Sequence, residues 1–351
     1  MSGASTFSGV KVVEPRHRLD EARLDAWLSH HIEGYAGPLT VLQFRGGQSN
    51  PTYRLETPGH AYVLRRKPFG PLLPSAHAVE REFRLISALG GTGFPVPRAY
   101  ALCEDPDVLG SVFYVMEAVE GAVHWNAALP EMAPGERRGL YEAMIGTLAR
   151  LHAVDYAAAG LADYGRPGNY FTRQVDRWTR QYRAAEDGRI EAAERLIDWL
   201  PRSVPEQART AIVHGDYRLD NMIFSGGSVA AVLDWELSTL GDPLADFSYL
   251  LMHWVLPADG RSSLGGLDLE GLGIPSREEA VALYCRETGR EGLPALDWYF
   301  AYNLFRLVGI LQGVAGRVRA GTAASEHAAE MAARVPRLAE AAWSFAERAG
   351  A

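Results

Sequence analysis

One stretch, Val213 to Phe247, constrains this chain more than any other; it reads VHGDYRLDNMIFSGGSVAAVLDWELSTLGDPLADF. His214-Gly215-Asp216 is followed by Asn221, by the apolar run Met222-Ile223-Phe224 and by Ser225-Gly226-Gly227. A second apolar run, Val229 to Leu233, ends at Asp234, with Trp235 and Glu236 behind it. A glycine turn between two apolar runs predicts a β-hairpin, and that hairpin would carry Asp234 back beside Asn221. Two capping carboxylates around a surface hairpin would account for HGD alone. They would not account for the later Asn and the second strand-end Asp.

Those residue types at that spacing suit phosphoryl transfer to a hydroxyl. Such a reaction uses an Asp to orient the attacking hydroxyl and accept its proton. An Asn a few residues on, and a second Asp at a strand end, hold the magnesium ions that bridge the phosphates. The interval from Asp216 to Asn221 is that of a kinase catalytic loop, with Gly215 in place of its Arg. HGDYRLDNMIF together with VLDWELSTLGDPLADFSYL resembles the aminoglycoside phosphotransferase and choline kinase superfamily. More narrowly, and through RQVDRWTRQY at 173–182, the chain resembles the kinase-like domain of acyl-CoA dehydrogenase family members ten and eleven and its free-standing bacterial relatives. The resemblance runs from about residue 20 to 345. It implies an α+β, bilobal, protein-kinase-like fold. Residues 1–19 would form a flexible N-terminal lead-in, and 20–120 a small N-lobe with an antiparallel sheet and a helix. Residues 121–351 would form a helical C-lobe carrying the catalytic loop and the substrate pocket.

Composition removes other classes. The formal net charge of -8 over 351 residues is the wrong sign for a general nucleic-acid binder. Cys103 and Cys285 are far apart and lack metal spacing, which suits a reducing, cytoplasmic setting. The N-terminus lacks a signal-peptide pattern, and no run of about eighteen apolar residues suggests a membrane partner. G-x-S-x-G, H-E-x-x-H and paired CxxC strings are missing, which counts against common hydrolase and zinc sites. A non-catalytic nucleotide-binding module remains the alternative from another class, although the residues Asp216, Asn221 and Asp234 argue for a working enzyme.

Taken in order, Asp20 is placed to cap a helix over 21–32. Residues 39–44 and 52–55 read as strands around Arg45-Gly46-Gly47-Gln48-Ser49-Asn50, the shape of a loop that covers nucleotide phosphates. Ser49 and Asn50 are its candidates, and a plain Gly-Gly hairpin is the alternative reading. A third strand over 61–65 ends at Arg65, where the resemblance implies the cation that holds the α- and β-phosphates, usually a Lys. A solvated Arg65-Arg66-Lys67 turn is the bland reading of the same residues. Glu82, on a helix opening at His77, is the residue to pair with Arg65, with Glu80 the weaker candidate. The apolar strand 111–121 is by resemblance the hinge, with backbone groups of Glu117 and Val119 on the adenine edge and Met116 beside the base. Helices are expected at 135–152, around 169–182, at 277–288, at 297–314 and from 326 onward. Asp246 either caps a helix or braces the catalytic loop. The Gly-rich segment 257–275 is either a lid or a plain connection.

The expected chemistry is transfer from ATP, with GTP not distinguished, in the presence of Mg2+. Asp216 is the base, Asn221 and Asp234 hold the metals, and Glu236 reaches a second ion. The acceptor is a hydroxyl on a small molecule. Arg173, Arg177, Arg306 and Arg317, with Asn303 and Gln312, sit on the candidate pocket helices and disfavour a polycationic aminoglycoside. Surface salt bridges are the alternative use of those arginines. The resemblance points to a hydroxylated fatty acid or its CoA ester, with an aminoglycoside- or choline-type acceptor as the alternative.

Overall fold

A computed structural model describes residues 9–45, 50–68, 77–321 and 328–351. Val10–Val12 (β1) opens it, lying antiparallel to Thr40–Phe44 (β2) with Val10 opposite Phe44. The lead-in expected over 1–19 is therefore corrected from residue 10 onward. Its Val-Lys-Val-Val run satisfies the backbone of an otherwise open sheet edge. Between the two strands runs Glu21–His31 (α1), where Asp20 accepts from the Arg23 amide at 3.0 Å and so caps the first turn. Leu24 and Leu28 of α1, one turn apart, are fully buried against the sheet.

Thr52–Thr57 (β3) and His60–Arg66 (β4) form a hairpin around Pro58-Gly59. Val79–Gly90 (α2), Ala99–Cys103 (β5), Pro106–Leu109 (α3) and Phe113–Glu117 (β6) complete this part. The sheet order is β1-β2-β3-β4-β6-β5, and each paired register is antiparallel. Tyr53 and Leu55, and Tyr62 and Leu64, alternate toward one face and make a small core with α1. The apolar face of α2, made by Val79, Leu85, Ile86 and Leu89, joins the larger core instead. That helix therefore ties the sheet to the helical part and positions Glu82 between them.

The remainder is largely helical, in order Pro134–Ala153 (α4), Tyr170–Ala184 (α5), Glu191–Trp199 (α6), Leu244–Val255 (α7), Leu269–Leu272 (α8), Arg277–Thr288 (α9), Leu296–Arg319 (α10), Ala328–Ala333 (α11) and Val335–Arg348 (α12). α10 packs against α5, α7 and α12 and buries Trp298, Phe300, Leu304, Phe305 and Val308. The single helix expected from 326 is two, because Pro336 starts the first turn of α12 and cannot continue the helix before it. Between α6 and α7 lie four short strands: Ala211–Val213 (β7), Met222–Ser225 (β8), Ser228–Val232 (β9) and Thr239–Gly241 (β10). β7 pairs with β10 and β8 with β9, both antiparallel. Among the described residues no helix is long and apolar enough to cross a membrane.

Candidate active site

The β8–β9 hairpin does what the glycine turn predicted. Met222 stands opposite Val232, and the Leu233 amide donates to the Asn221 carbonyl at 2.9 Å. Asp234 follows with φ +63°, in a left-handed region that non-glycine residues rarely occupy. Gly215 has φ +86°, and a Cβ there would lie 2.7 Å from the Leu237 carbonyl oxygen. A side chain at 215 is excluded twice, by strain and by collision.

Buried polar side chains hold the loop from beneath. Asp246, on the first turn of α7, accepts from the His214 amide at 2.5 Å and the Gly215 amide at 2.8 Å. Its brace role is the one the structure adopts. Arg306 of α10 donates to the Gly215 carbonyl at 2.5 Å. His214 Nε2 is 2.8 Å from the Leu233 carbonyl, while Nδ1 accepts from the Asp216 amide at 3.2 Å. Those partners fix the Nε2–H tautomer.

Asp216 is thereby presented with both carboxylate oxygens engaged. Tyr249 donates its hydroxyl to Oδ1 at 2.8 Å, and Asn221 donates Nδ2 to Oδ2 at 3.0 Å. Burial alone would push this carboxyl up. The Arg218 guanidinium and the Tyr249 hydroxyl outweigh that and hold it below the usual Asp value. Asp216 is thus an ionised acceptor of protons.

Arg65 is the second centre. It is the last residue but one of β4 and reaches Glu82 of α2 at 3.0 Å, Asp234 Oδ1 at 2.6 Å and Glu236 at 3.6 Å. Tyr114 donates to Glu82 at 3.0 Å. Burial, only partly offset by Arg65, pushes the Glu82 carboxyl well up. Glu80 turns away to Lys67 at 2.7 Å. Asn50, expected over the phosphates, is instead fully buried. Its amide is 3.5 Å from Glu82 and 3.4 Å from Glu236, and its carbonyl is 3.0 Å from His77. This is a correction: an amide between two carboxylates serves them first. Ser49 lies outside the described residues. Glu82, Asp234 and Glu236 offer oxygens all within 4.8 Å of one another, a donor set that suits a hard divalent cation.

Between sheet and hairpin lies a cavity of about 490 Å³. Met116, Glu117 and Val119 line one side of it, Arg65 and Thr52 another, and Asn221 and Asp234 a third. Gly121, with φ +152°, lets the chain leave this cavity pressed against Phe224, whose carbonyl would be 2.4 Å from a Cβ at 121.

The phosphotransferase enzyme family profile matches residues 40–299. The chain belongs to that family. Acyl-CoA dehydrogenase family member 10 of Mus musculus is 46% identical over 90% of this chain, and member 11 of Homo sapiens 39% identical over 99%. The chain spans only 30% and 45% of those two proteins. A crystal structure from Ralstonia eutropha, provisionally assigned as an aminoglycoside phosphotransferase, is 47% identical with a TM-score of 0.87, covering 94% of this chain and 99% of that one. The ADP and hygromycin B complex of a thermostable mutant of APH(4)-Ia covers 95% and 99%, with a TM-score of 0.59. At 15% identity that likeness is one of fold alone. The arrangement is the α+β, protein-kinase-like one.

In this family member the arginines expected to line an acceptor pocket are mostly committed elsewhere. Arg306 is buried under the catalytic loop. Arg173 donates to the Gly168 and Arg166 carbonyls, and Arg177 lies 4.9 Å from the Trp178 ring. Asn303 donates to Ser248 and Gln312 to the Ala185 carbonyl, each at 2.9 Å. The segment 257–275 includes the short helix α8 and an ordered loop. In that loop Asp259 accepts from the amides of Arg261, Ser262 and Ser263. The Arg261 carbonyl accepts from Ala127 at 2.6 Å, and its guanidinium lies over the Trp125 ring at 5.7 Å. Sequence reading missed Tyr249 and Arg218. Both were signalled by position, three residues after Asp246 and two after Asp216, but neither type advertises its role without knowing what it faces.

Proposed function

We propose that this protein transfers the γ-phosphoryl group of ATP to a hydroxyl of a small molecule, with magnesium. The observation that carries the reading is the ionised Asp216, wired to Asn221, beside a cavity that also holds Arg65 and Asp234. Asp216 takes the proton of the acceptor hydroxyl as its oxygen bonds to the γ-phosphorus. The bond from that phosphorus to the β,γ-bridging oxygen breaks, and ADP leaves. Arg65, held by Glu82, faces the α- and β-phosphates. The backbone at Glu117 and Val119 meets the adenine edge, with Met116 beside the base. Magnesium, when bound, neutralises charge on the phosphates, and Asn221, Asp234 and Glu236 would hold it.

For the acceptor we propose a hydroxylated fatty acid or its CoA ester. Support comes from the two relatives named as acyl-CoA dehydrogenase family members. The test is ADP release with ATP and magnesium over hydroxy acids, their CoA esters, choline and aminoglycosides. Turnover on the acyl class, lost in Asp216→Asn by about a hundredfold or more, is expected. Turnover confined to aminoglycosides would overturn the acceptor, and full turnover in Asp216→Asn the mechanism.

A further inference from the structure

Three carboxylates and one guanidinium share the space where the sheet, α2 and the β8–β9 hairpin meet. Glu82, Asp234 and Glu236 offer oxygens that all lie within 4.8 Å of one another. Arg65 stands among them, with Nε 3.0 Å from Glu82 and Nη2 2.6 Å from Asp234 Oδ1 and 3.6 Å from Glu236. The Asn50 amide, near Glu82 and Glu236, and the Tyr114 hydroxyl on Glu82 add neutral donors. Arg65 and Asp234 both line the nucleotide cavity. A hard divalent cation needs oxygens at about 2.0–2.6 Å. An ion held by these same oxygens would have to stand about where the guanidinium stands, and two positive charges that close repel.

We propose that Arg65 is a built-in competitor for the metal. In the nucleotide-free protein its guanidinium takes the place of the divalent cation, and it releases Asp234 and Glu236 only when phosphates draw it away. The part played by the phosphates rests on the ATP-dependent reading above; the competition itself does not. A planar guanidinium offers donors in a fixed fork that matches phosphate oxygens in pairs. Turning that fork onto the nucleotide, with Glu82 still beside Nε, exposes the two carboxylates that the metal needs. Nucleotide and metal then bind cooperatively, because each removes a cost that the other would meet alone. A guanidinium spans all three carboxylates where a lysine ammonium could not, so the block depends on this residue being Arg. A purely structural ion pair would lose stability with Arg65 and open no cation site.

Manganese is the probe, with the free ion followed by electron paramagnetic resonance and no nucleotide present. It is titrated into the wild type, Arg65→Met, Arg65→Lys and the double variant Arg65→Met with Glu236→Gln. Arg65→Met is expected to bind manganese about tenfold or more tighter than the wild type, and the double variant to lose most of that gain. Manganese should raise the thermal midpoint of Arg65→Met and leave that of the wild type unmoved. Arg65→Lys should fall between the two, and it carries the comparison if Arg65→Met does not fold. In the wild type, calorimetric ADP affinity should rise about tenfold when manganese is added. Equal manganese affinity in the wild type and the folded variants overturns the proposal, as does ADP binding to the wild type that manganese leaves unchanged. A wild type that binds no ADP, beside an Arg65→Met that gains manganese, takes down the ATP reading and leaves the competition standing.

Discussion

Asp216 works through what its neighbours do to its charge. Its carboxyl is held below the ordinary Asp value by the Arg218 guanidinium and the Tyr249 hydroxyl, so any acid limb it sets in the rate lies below that of an ordinary Asp. Tyr249→Phe removes one donor that holds it there. The acid limb should move to higher pH, and kcat/KM should fall about tenfold, the loss of one hydrogen bond to a charged group. An unmoved pH profile would show that Tyr249 only fills space. His253 sits one helical turn beyond Tyr249, buried, with its Nδ1 lacking a partner among the described residues. Burial, reinforced by Arg218, pushes it down to about 4. A depressed histidine stabilises the fold fully above its ordinary value near 6.5, and that contribution is lost as pH falls toward 4. Thermal midpoints should therefore drop over that window, by on the order of 3 kcal/mol of stability for this group. His253→Gln should flatten the drop.

At the scale of elements, α7 is the support on which the catalytic loop rests. Asp246, Tyr249 and His253 recur at intervals of three and four, so one helix face presents all three toward residues 214–218. Asp246 alone satisfies two buried amides, and His152 stands 3.6 Å from it. Asp246→Ala strands both donors and should cost about 3 kcal/mol or more in urea unfolding. Asp246→Asn can answer one amide through its carbonyl and should cost less. Equal losses in the two variants would refute the brace.

The whole molecule turns on Arg65. One guanidinium, 9% exposed, joins the last residues of β4 to α2 and to the strand-end Asp234 of the hairpin. Removing it leaves Glu82, Asp234 and Glu236 facing one another with no guanidinium between them. Arg65→Met should destabilise by about 3–5 kcal/mol, the usual result of breaking a buried ion pair from one side. Lys cannot span three carboxylates as a fork does, so Arg65→Lys should recover only part of this in chemical denaturation. Recovery to the full wild-type midpoint would show that charge alone is needed there. The same contacts couple the sheet to the catalytic hairpin, so nucleotide affinity should fall with stability in this series.

Local pattern was enough for several features. The glycine turn between apolar runs specified the β8–β9 hairpin, Asp20 specified the start of α1, and the alternating strands specified β2, β3 and β4. Each depends on residues close in sequence, whose spacing alone sets which face they share. Tertiary structure decided the rest because it decides who meets whom. Asn50 reads as a phosphate-loop residue until Glu82 and Glu236 claim its amide. Arg306 reads as a pocket cation until the carbonyl of Gly215, 91 residues away in sequence, accepts its hydrogen bond. Arg218 and Tyr249 looked ordinary until folding set both against one carboxylate. Val10–Val12 became a strand only because β2 offered an edge. A polar side chain carries no record of its partner, and its burial and partner together determine what it does.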